Sequence, residues 1–282
     1  YLKSKYYIVD SRTALLEKDV QAEQALSLDL TIGKTKQNPK ILIFHTHIHE
    51  GFADSDMSKG LSEGIWGVGE ELKRILEEEY GIAVLHDAGQ YDMVNGKGQT
   101  TGAYERMEPP IREILKKYPS IEVCIDLHRD GVPEGTRLVT EIDGKQTAQV
   151  MFFNGLCRLN KNGTPQAISG LENPYIRENL AFSLQMKTAA DSLFPDFARK
   201  IYLNAYRFSL HFMPRSTLIE VGAQTNTKAE AKNAIKKLGL KLERVERFTV
   251  DGASHPVIVL KKIAPTPKKY PRRFAQIKKQ PL

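Results

Sequence analysis

The sequence predicts an α/β fold, a mostly parallel mixed sheet flanked by helices. Short apolar runs such as "ILIF" (41–44) and "VCIDL" (123–127) alternate with segments of helical period, the order that builds parallel sheets. Glycine and proline punctuate the ends of those helical segments. Chemically capable side chains gather just behind the apolar runs, at the carboxyl ends of strands, where such sheets bind ligands.

In chain order, Asn38-Pro39 turns into a strand at Ile41–Phe44. "GIWGVGEELKRILEEEYG" sets Ile65, Val68, Leu72, Ile75 and Leu76 on one helical stripe, with Gly81 as its stop. "IAVLHDA" is a second strand. Pro109-Pro110 is expected to open the helix "IREILKKY", which Pro119 ends. "SIEVCIDLH" is a buried strand, and "RLVTEIDGKQTAQVMFFNG" a hairpin turning at Asp143-Gly144. A long helix at about 177–194 follows the Asn173-Pro174 loop, then strands near 200–210 and 217–222. The last helix has Thr227 as N-cap and Glu230 three residues on, a capping box, and stops at Gly239.

A chain of 282 residues, 41% of them hydrophobic, can bury one large core. It divides into an N-terminal arm (1–37), a catalytic domain (38–240) and a basic, proline-containing C-terminal tail (241–282). The net charge of +7 is unevenly spread: residues 241–282 carry 11 Lys/Arg against 3 Asp/Glu, while the rest carries 30 against 31. "KKIAPTPKKYPRRFAQIKKQPL" therefore reads as an extended, solvated segment. The body offers no basic–aromatic platform, so nucleic acid ranks last among partners. Cys124 and Cys157 are too few for a disulfide scaffold and read as buried thiols. No apolar run approaches the roughly 20 residues that cross a bilayer, and there is no charged-then-apolar leader. Beginning at Tyr1, the chain is expected to be a piece of a longer protein.

Three strand ends share one chemistry. In "ILIFHTHIHEGF", three histidines and a glutamate follow an apolar strand, and a break after His47 lets the H-x-x-E pair His47 and Glu50 swing onto one centre. The bland alternative, polar residues on a solvated loop, suits one histidine better than three. In "IDLHRDG", His128 ends a strand, with Asp126 two residues earlier on the same face, placed to hold the second ring nitrogen. A simple Asp–His pair at a sheet rim is the competing reading. In "STLIEVGAQTNT", Glu220 interrupts an apolar run, where an ionised carboxylate is costly unless paired or useful. An ion pair with Arg129 or Arg215 is the alternative there. Together these nominate His47, Glu50 and His128 as three metal ligands with a fourth position open, the catalytic rather than structural pattern for zinc. Glu220 is then the general base and later acid, and Arg129 a candidate for polarising a carbonyl or holding a carboxylate. The expected reaction is metal-assisted amide hydrolysis, with zinc the default metal and manganese or iron left open.

"NPKILIFHTHIHEGF", "GVGEELKRILEEEYGIAVLHDAGQYD", "IDLHRDG", "NPYIRENLAFSLQ" and "STLIEVGAQTNTKAEAKNAI" resemble, in that order, the stage II sporulation protein P family of endospore formers. The resemblance runs from about residue 38 to 239. It implies a zinc-dependent cell-wall hydrolase working in engulfment, with N-acetylmuramoyl-L-alanine amidase and peptidoglycan endopeptidase activities. It also implies a lytic transglycosylase and a membrane scaffold as partners, and an extracytoplasmic location anchored by a segment absent from this chain. The fold it implies is similar to that of zinc amidases, and the motif order is similar to that of zinc carboxypeptidases. The family's HTH-x-x-E motif falls on His45, Thr46, His47 and Glu50, its DLHRDG histidine on His128, and its IEVG glutamate on Glu220. Two choices stay open: Glu50 against Glu63 as the acidic ligand, and His45 as a ligand in place of His47 or a substrate-facing neighbour. Two other functions compete: a carboxypeptidase with Arg129, Arg137 or Arg215 in its carboxylate pocket, and a non-catalytic wall- or partner-binding module.

Overall fold

The computed structural model describes residues 5–238, and the backbone of residues 242–250 and 253–260. Seven strands form the central sheet: β1 Tyr7–Val9, β2 Ile41–Phe44, β3 Val84–His86, β4 Val123–Asp130, β5 Val150–Gly155, β6 Ile201–Asn204 and β7 Ser216–Ala223. Their spatial order is β1-β6-β5-β7-β4-β2-β3. β1, β6 and β5 run parallel to one another, as do β7, β4, β2 and β3, and the two blocks meet at one antiparallel seam between β5 and β7. The sheet is thus mixed and mostly parallel, and β7, β4 and β2 end at the same rim.

Both faces are covered, which is why these strands read as apolar runs rather than alternations. Ile41, Ile43, Val123, Ile125 and Leu127 enter one core cluster, while Leu42, Phe44 and Cys124 enter another. Helix α1 (Ala22–Ser27) is followed by α2 (Ile65–Glu78), which contributes Ile65, Val68, Leu72 and Ile75 to the first cluster. α3 (Ala103–Lys117) contributes Met107 and Ile111 to the second. α4 (Ile176–Leu193) and α5 (Lys228–Leu238) add Leu180, Leu184, Ala231 and Ile235 to the first.

Several expectations are corrected. Pro109-Pro110 does not open α3 but lies inside it, and the helix begins six residues earlier, after Gly102 at φ 78°. Two proline rings remove two intrahelical N–H donors. Against that, Ala103, Met107 and Ile111 form a buried stripe, and Arg106 ties the first turns to the carbonyls of Tyr91, Gln99 and Thr101. The stretch "RLVTEIDGKQTAQVMFFNG" divides: Val139–Ile142 and Lys145–Ala148 form the hairpin, with Asp143 and Gly144 both at positive φ, while Val150–Gly155 joins the central sheet as β5. Residues 1–37, expected as an arm, supply edge strand β1, with Tyr7 in the core, and α1; the carbonyls of Ala25 in α1 and of Leu28 just past its end accept from Gln185 of α4. In the span read as a tail, Leu242–Val250 pairs antiparallel with Ala253–Leu260 in a separate compact unit, Lys241–Leu282. The expected helix stop at Gly239 and the basic stretch 261–282 lie outside the described residues.

The capping box on α5 takes the predicted form. Thr227 Oγ1 accepts from the Glu230 N–H at 3.2 Å, and Glu230 Oε2 accepts from the Thr227 N–H at 3.0 Å. Thr227→Ala should lower stability by about 1 kcal/mol in urea unfolding, with an unchanged denaturant slope.

Candidate metal centre

Register builds the centre. Phe44 at the end of β2 stands opposite Asp126 of β4, and Glu220 of β7 stands opposite His128 of β4. The rim therefore presents the chain after Phe44, the end of β4 and Glu220 side by side.

After Phe44 the chain turns at once, and each residue of the turn has an anchor. His45 Nδ1 donates to the Leu127 carbonyl at 2.7 Å. Thr46 gives its N–H and hydroxyl to the two Asp126 oxygens at 2.9 and 2.8 Å. Ile48 is fully buried, and His49 gives its N–H (3.0 Å) and Nδ1 (2.8 Å) to Asp92. The Arg129 N–H donates to Glu50 Oε2 at 2.9 Å. So pinned, the turn brings the imidazole of His47 and the carboxylate of Glu50 to His128.

His47, Glu50 and His128 each offer a ligand atom, and these atoms lie within 4.8 Å of one another. His128 Nε2 is committed to Asp126 Oδ1 at 2.7 Å, which leaves Nδ1 facing Glu50 Oε2 at 3.4 Å. Zinc bonds of about 2.1 Å at the tetrahedral angle give ligand–ligand edges of roughly this length. His47 Nδ1 lies 4.0 Å from Glu50 Oε1. The electrostatics fit a cation as well. Burial alone would depress the pKa of His128, yet Asp126 and Glu50 hold it well above the usual imidazole range. The same negative potential would attract a metal cation, which would displace that proton. Asp126 stays ionised: burial opposes this, but His128 and the Thr46 N–H hold its carboxyl down to about 2.

Glu220 has the opposite character. Its Oε2 is sealed from solvent without a hydrogen-bond partner, and neither arginine considered for it is available. Arg129 donates through Nε to the Gly51 carbonyl at 3.0 Å, and Arg215 donates to the carbonyls of Leu30 and Thr31. Burial, with Glu50, Asp130 and Asp126 adding to it, pushes the Glu220 carboxyl up to about 8, against the pull of His128.

Other sequence candidates separate from the cluster. His45 lies outside the convergent set: it is wholly buried, with Nδ1 on the Leu127 carbonyl and Nε2 2.8 Å from His86 Nε2. Glu63 is ion-paired with Lys228 and is not in the convergent set. Arg129 braces the Glu50 turn through Gly51, and its Nη1 reaches the Asp130 carbonyl at 3.4 Å. Arg137 pairs with Glu230. Sequence reasoning missed Asp92, His86 and Tyr104. Tyr104 packs its ring edge-on against His47 at 5.8 Å between centroids. Burial, then Asp126, Glu220 and Glu50, raise its pKa well above the usual phenol value. No local pattern in "GAYERM", "YDMVNG" or "VLHDA" marks these residues.

Comparison with known proteins adds a family. Among solved structures, the N-acetylmuramoyl-L-alanine amidase AmiC2 of Nostoc punctiforme aligns at 12% identity over 73% of this chain and 95% of that one, with a TM-score of 0.38. The CwlD amidase from Clostridioides difficile, in complex with the GerS lipoprotein, aligns at 12% identity over 71% and 94%, with a TM-score of 0.41. A 50-residue stretch is 44% identical to ribosomal RNA small subunit methyltransferase G of Fervidobacterium nodosum, but that is 18% of this chain and 24% of that curated relative's length. The family model of stage II sporulation protein P (SpoIIP) matches residues 5–240, which include every residue of the centre. The chain belongs to the stage II sporulation protein P family.

Proposed function

We propose that this chain is a zinc-dependent peptidoglycan hydrolase. It cleaves the amide between N-acetylmuramic acid and L-alanine, and also stem-peptide cross-links, during engulfment. The reading is carried by one observation: an unpartnered, buried carboxylate, Glu220, stands in register beside the convergent set His47, Glu50 and His128. Family membership supplies the cell-wall substrate. By the same resemblance the enzyme works outside the cytoplasm, held to the membrane, with a lytic transglycosylase and the engulfment scaffold as partners. No helix among the described residues is long and apolar enough to cross a membrane.

His47, Glu50 and His128 would hold the metal. A zinc ion there supplies Lewis acidity, polarising the scissile carbonyl and acidifying water. Asp126 fixes the His128 tautomer, so that Nδ1 is the nitrogen presented to the centre. The Arg129 N–H orients Glu50, and its guanidinium holds the turn through the Gly51 carbonyl. Glu220 removes the proton from the attacking water and returns it to the departing amine nitrogen. Its raised pKa belongs to the protein alone, and a nearby cation lowers it toward neutrality or below. The carboxypeptidase alternative is weakened, because Arg137 and Arg215 are both engaged elsewhere.

Mass spectrometry of products from purified peptidoglycan should show free stem peptides with zinc and none with a chelator, and separated cross-linked peptides would add the endopeptidase. No release under any metal condition would leave a binding module. His128→Ala should abolish both zinc retention and turnover. Glu220→Gln should keep zinc, measured by elemental analysis, while losing about 10²–10⁴-fold in rate; equal zinc loss in both variants would make Glu220 a ligand instead. Asp126→Asn should weaken zinc affinity by about 10–100-fold in competition with a chelating dye; unchanged affinity would mean His128 needs no such support.

A further inference from the structure

We propose that Tyr104 is a further catalytic residue of this centre, its hydroxyl donating a hydrogen bond to the scissile carbonyl oxygen as that oxygen gains charge. The proposal rests on the hydrolase reading above. Two rings flank the imidazole of His47: His128, perpendicular at 5.4 Å, and Tyr104, edge-on at 5.8 Å. The Tyr104 hydroxyl lies in the field of Asp126, Glu220 and Glu50, the three carboxylates of the centre. It makes no hydrogen bond to any described residue. Tyr91 and Tyr202, by contrast, give their hydroxyls to Asp87 and Asp10. Tyr104 is half-buried, and a phenol without a protein partner beside such a centre has its donor free for substrate.

The ring is also held in place. Tyr104 lies in the first turn of α3, between buried Ala103 and the Met107 anchor. Phe208 packs edge-on against it at 5.4 Å and in turn packs on Phe153 of β5 at 4.6 Å. Phe208 sits at φ 52°, a left-handed backbone costly for an aromatic residue. The nearby cations are already engaged: Arg129 by Gly51, Arg199 by Asp130, and Arg207 by Glu108. In the step envisaged, water oxygen bonds to the carbonyl carbon and the C=O π pair moves to oxygen, where Tyr104 donates. The C–N bond then breaks, and the proton taken by Glu220 passes to the amine nitrogen. Tyr104 keeps its own proton throughout.

Tyr104→Phe removes the hydroxyl and keeps the ring. In the zinc-loaded full chain it should lower kcat by about 100-fold with KM nearly unchanged. Zinc stoichiometry and thermal midpoint should match the wild type. A phosphinate dipeptide analogue, a tetrahedral anion, should bind more weakly by a similar factor in calorimetry. Wild-type kcat and wild-type phosphinate affinity in the variant would overturn the role of Tyr104 while leaving the hydrolase intact. A loss confined to KM or to zinc would overturn it as well. A wild-type protein that neither hydrolyses peptidoglycan nor binds the phosphinate would overturn the hydrolase reading, and this proposal with it.

Discussion

The carboxylate of Asp126 is the joint on which the centre depends. It is almost wholly buried, and its two oxygens accept from the Thr46 N–H, the Thr46 hydroxyl and His128 Nε2. One side chain thereby ties the turn after β2 to the end of β4, across 80 residues of sequence, and selects which nitrogen of His128 faces Glu50. Such charge-assisted bonds are short and directional, so both strand ends are held in position and not merely adjacent. Removing the carboxylate would release the turn and the tautomer together.

The other carboxylates divide by partner. Asp92 has His49, and Glu50 has the Arg129 N–H and two imidazoles within reach. Glu220 alone has a sealed oxygen and no partner. Like charges and desolvation both oppose its ionisation, and so both act against the isolated protein. A cation held among His47, Glu50 and His128 would offset the like-charge repulsion, so that binding it would stabilise the fold as well.

Much of this was legible in the sequence where the signal was local. The strands β2 and β4, the stripe of α2 and the box at Thr227 and Glu230 are each written within a few residues of themselves. His47, Glu50, His128 and Glu220 stood out because they follow or interrupt apolar runs. Local rules failed where tertiary packing overrode them, as at Pro109-Pro110, held inside α3 by a buried stripe and by Arg106. Asn162-Gly163 is an ordinary hairpin signal as well, and it turns Arg158–Lys161 onto Thr164–Ala167. Tyr104, His86 and Asp92 had no local signal, because their roles exist only across long separations.

The different fates of His45 and His47 show what spacing alone leaves undecided. In an extended chain, residues two apart share a face, so the two histidines would be equivalent. The turn at Thr46 ends that equivalence. His45 goes inward against the Leu127 carbonyl and His86, whose Nδ1 meets Glu70 and whose ring stacks on Trp66 at 5.1 Å. This back wall closes because α2 carries glycine at 69: a Cβ there would stand 2.7 Å from His86 Nε2 and 3.0 Å from His45 Nε2. Burial and His86 push the pKa of His45 down to about 3. With both nitrogens of His45 engaged inside the protein, it is the imidazole of His47, two residues on, that reaches the cluster, and Glu50 follows from the same turn.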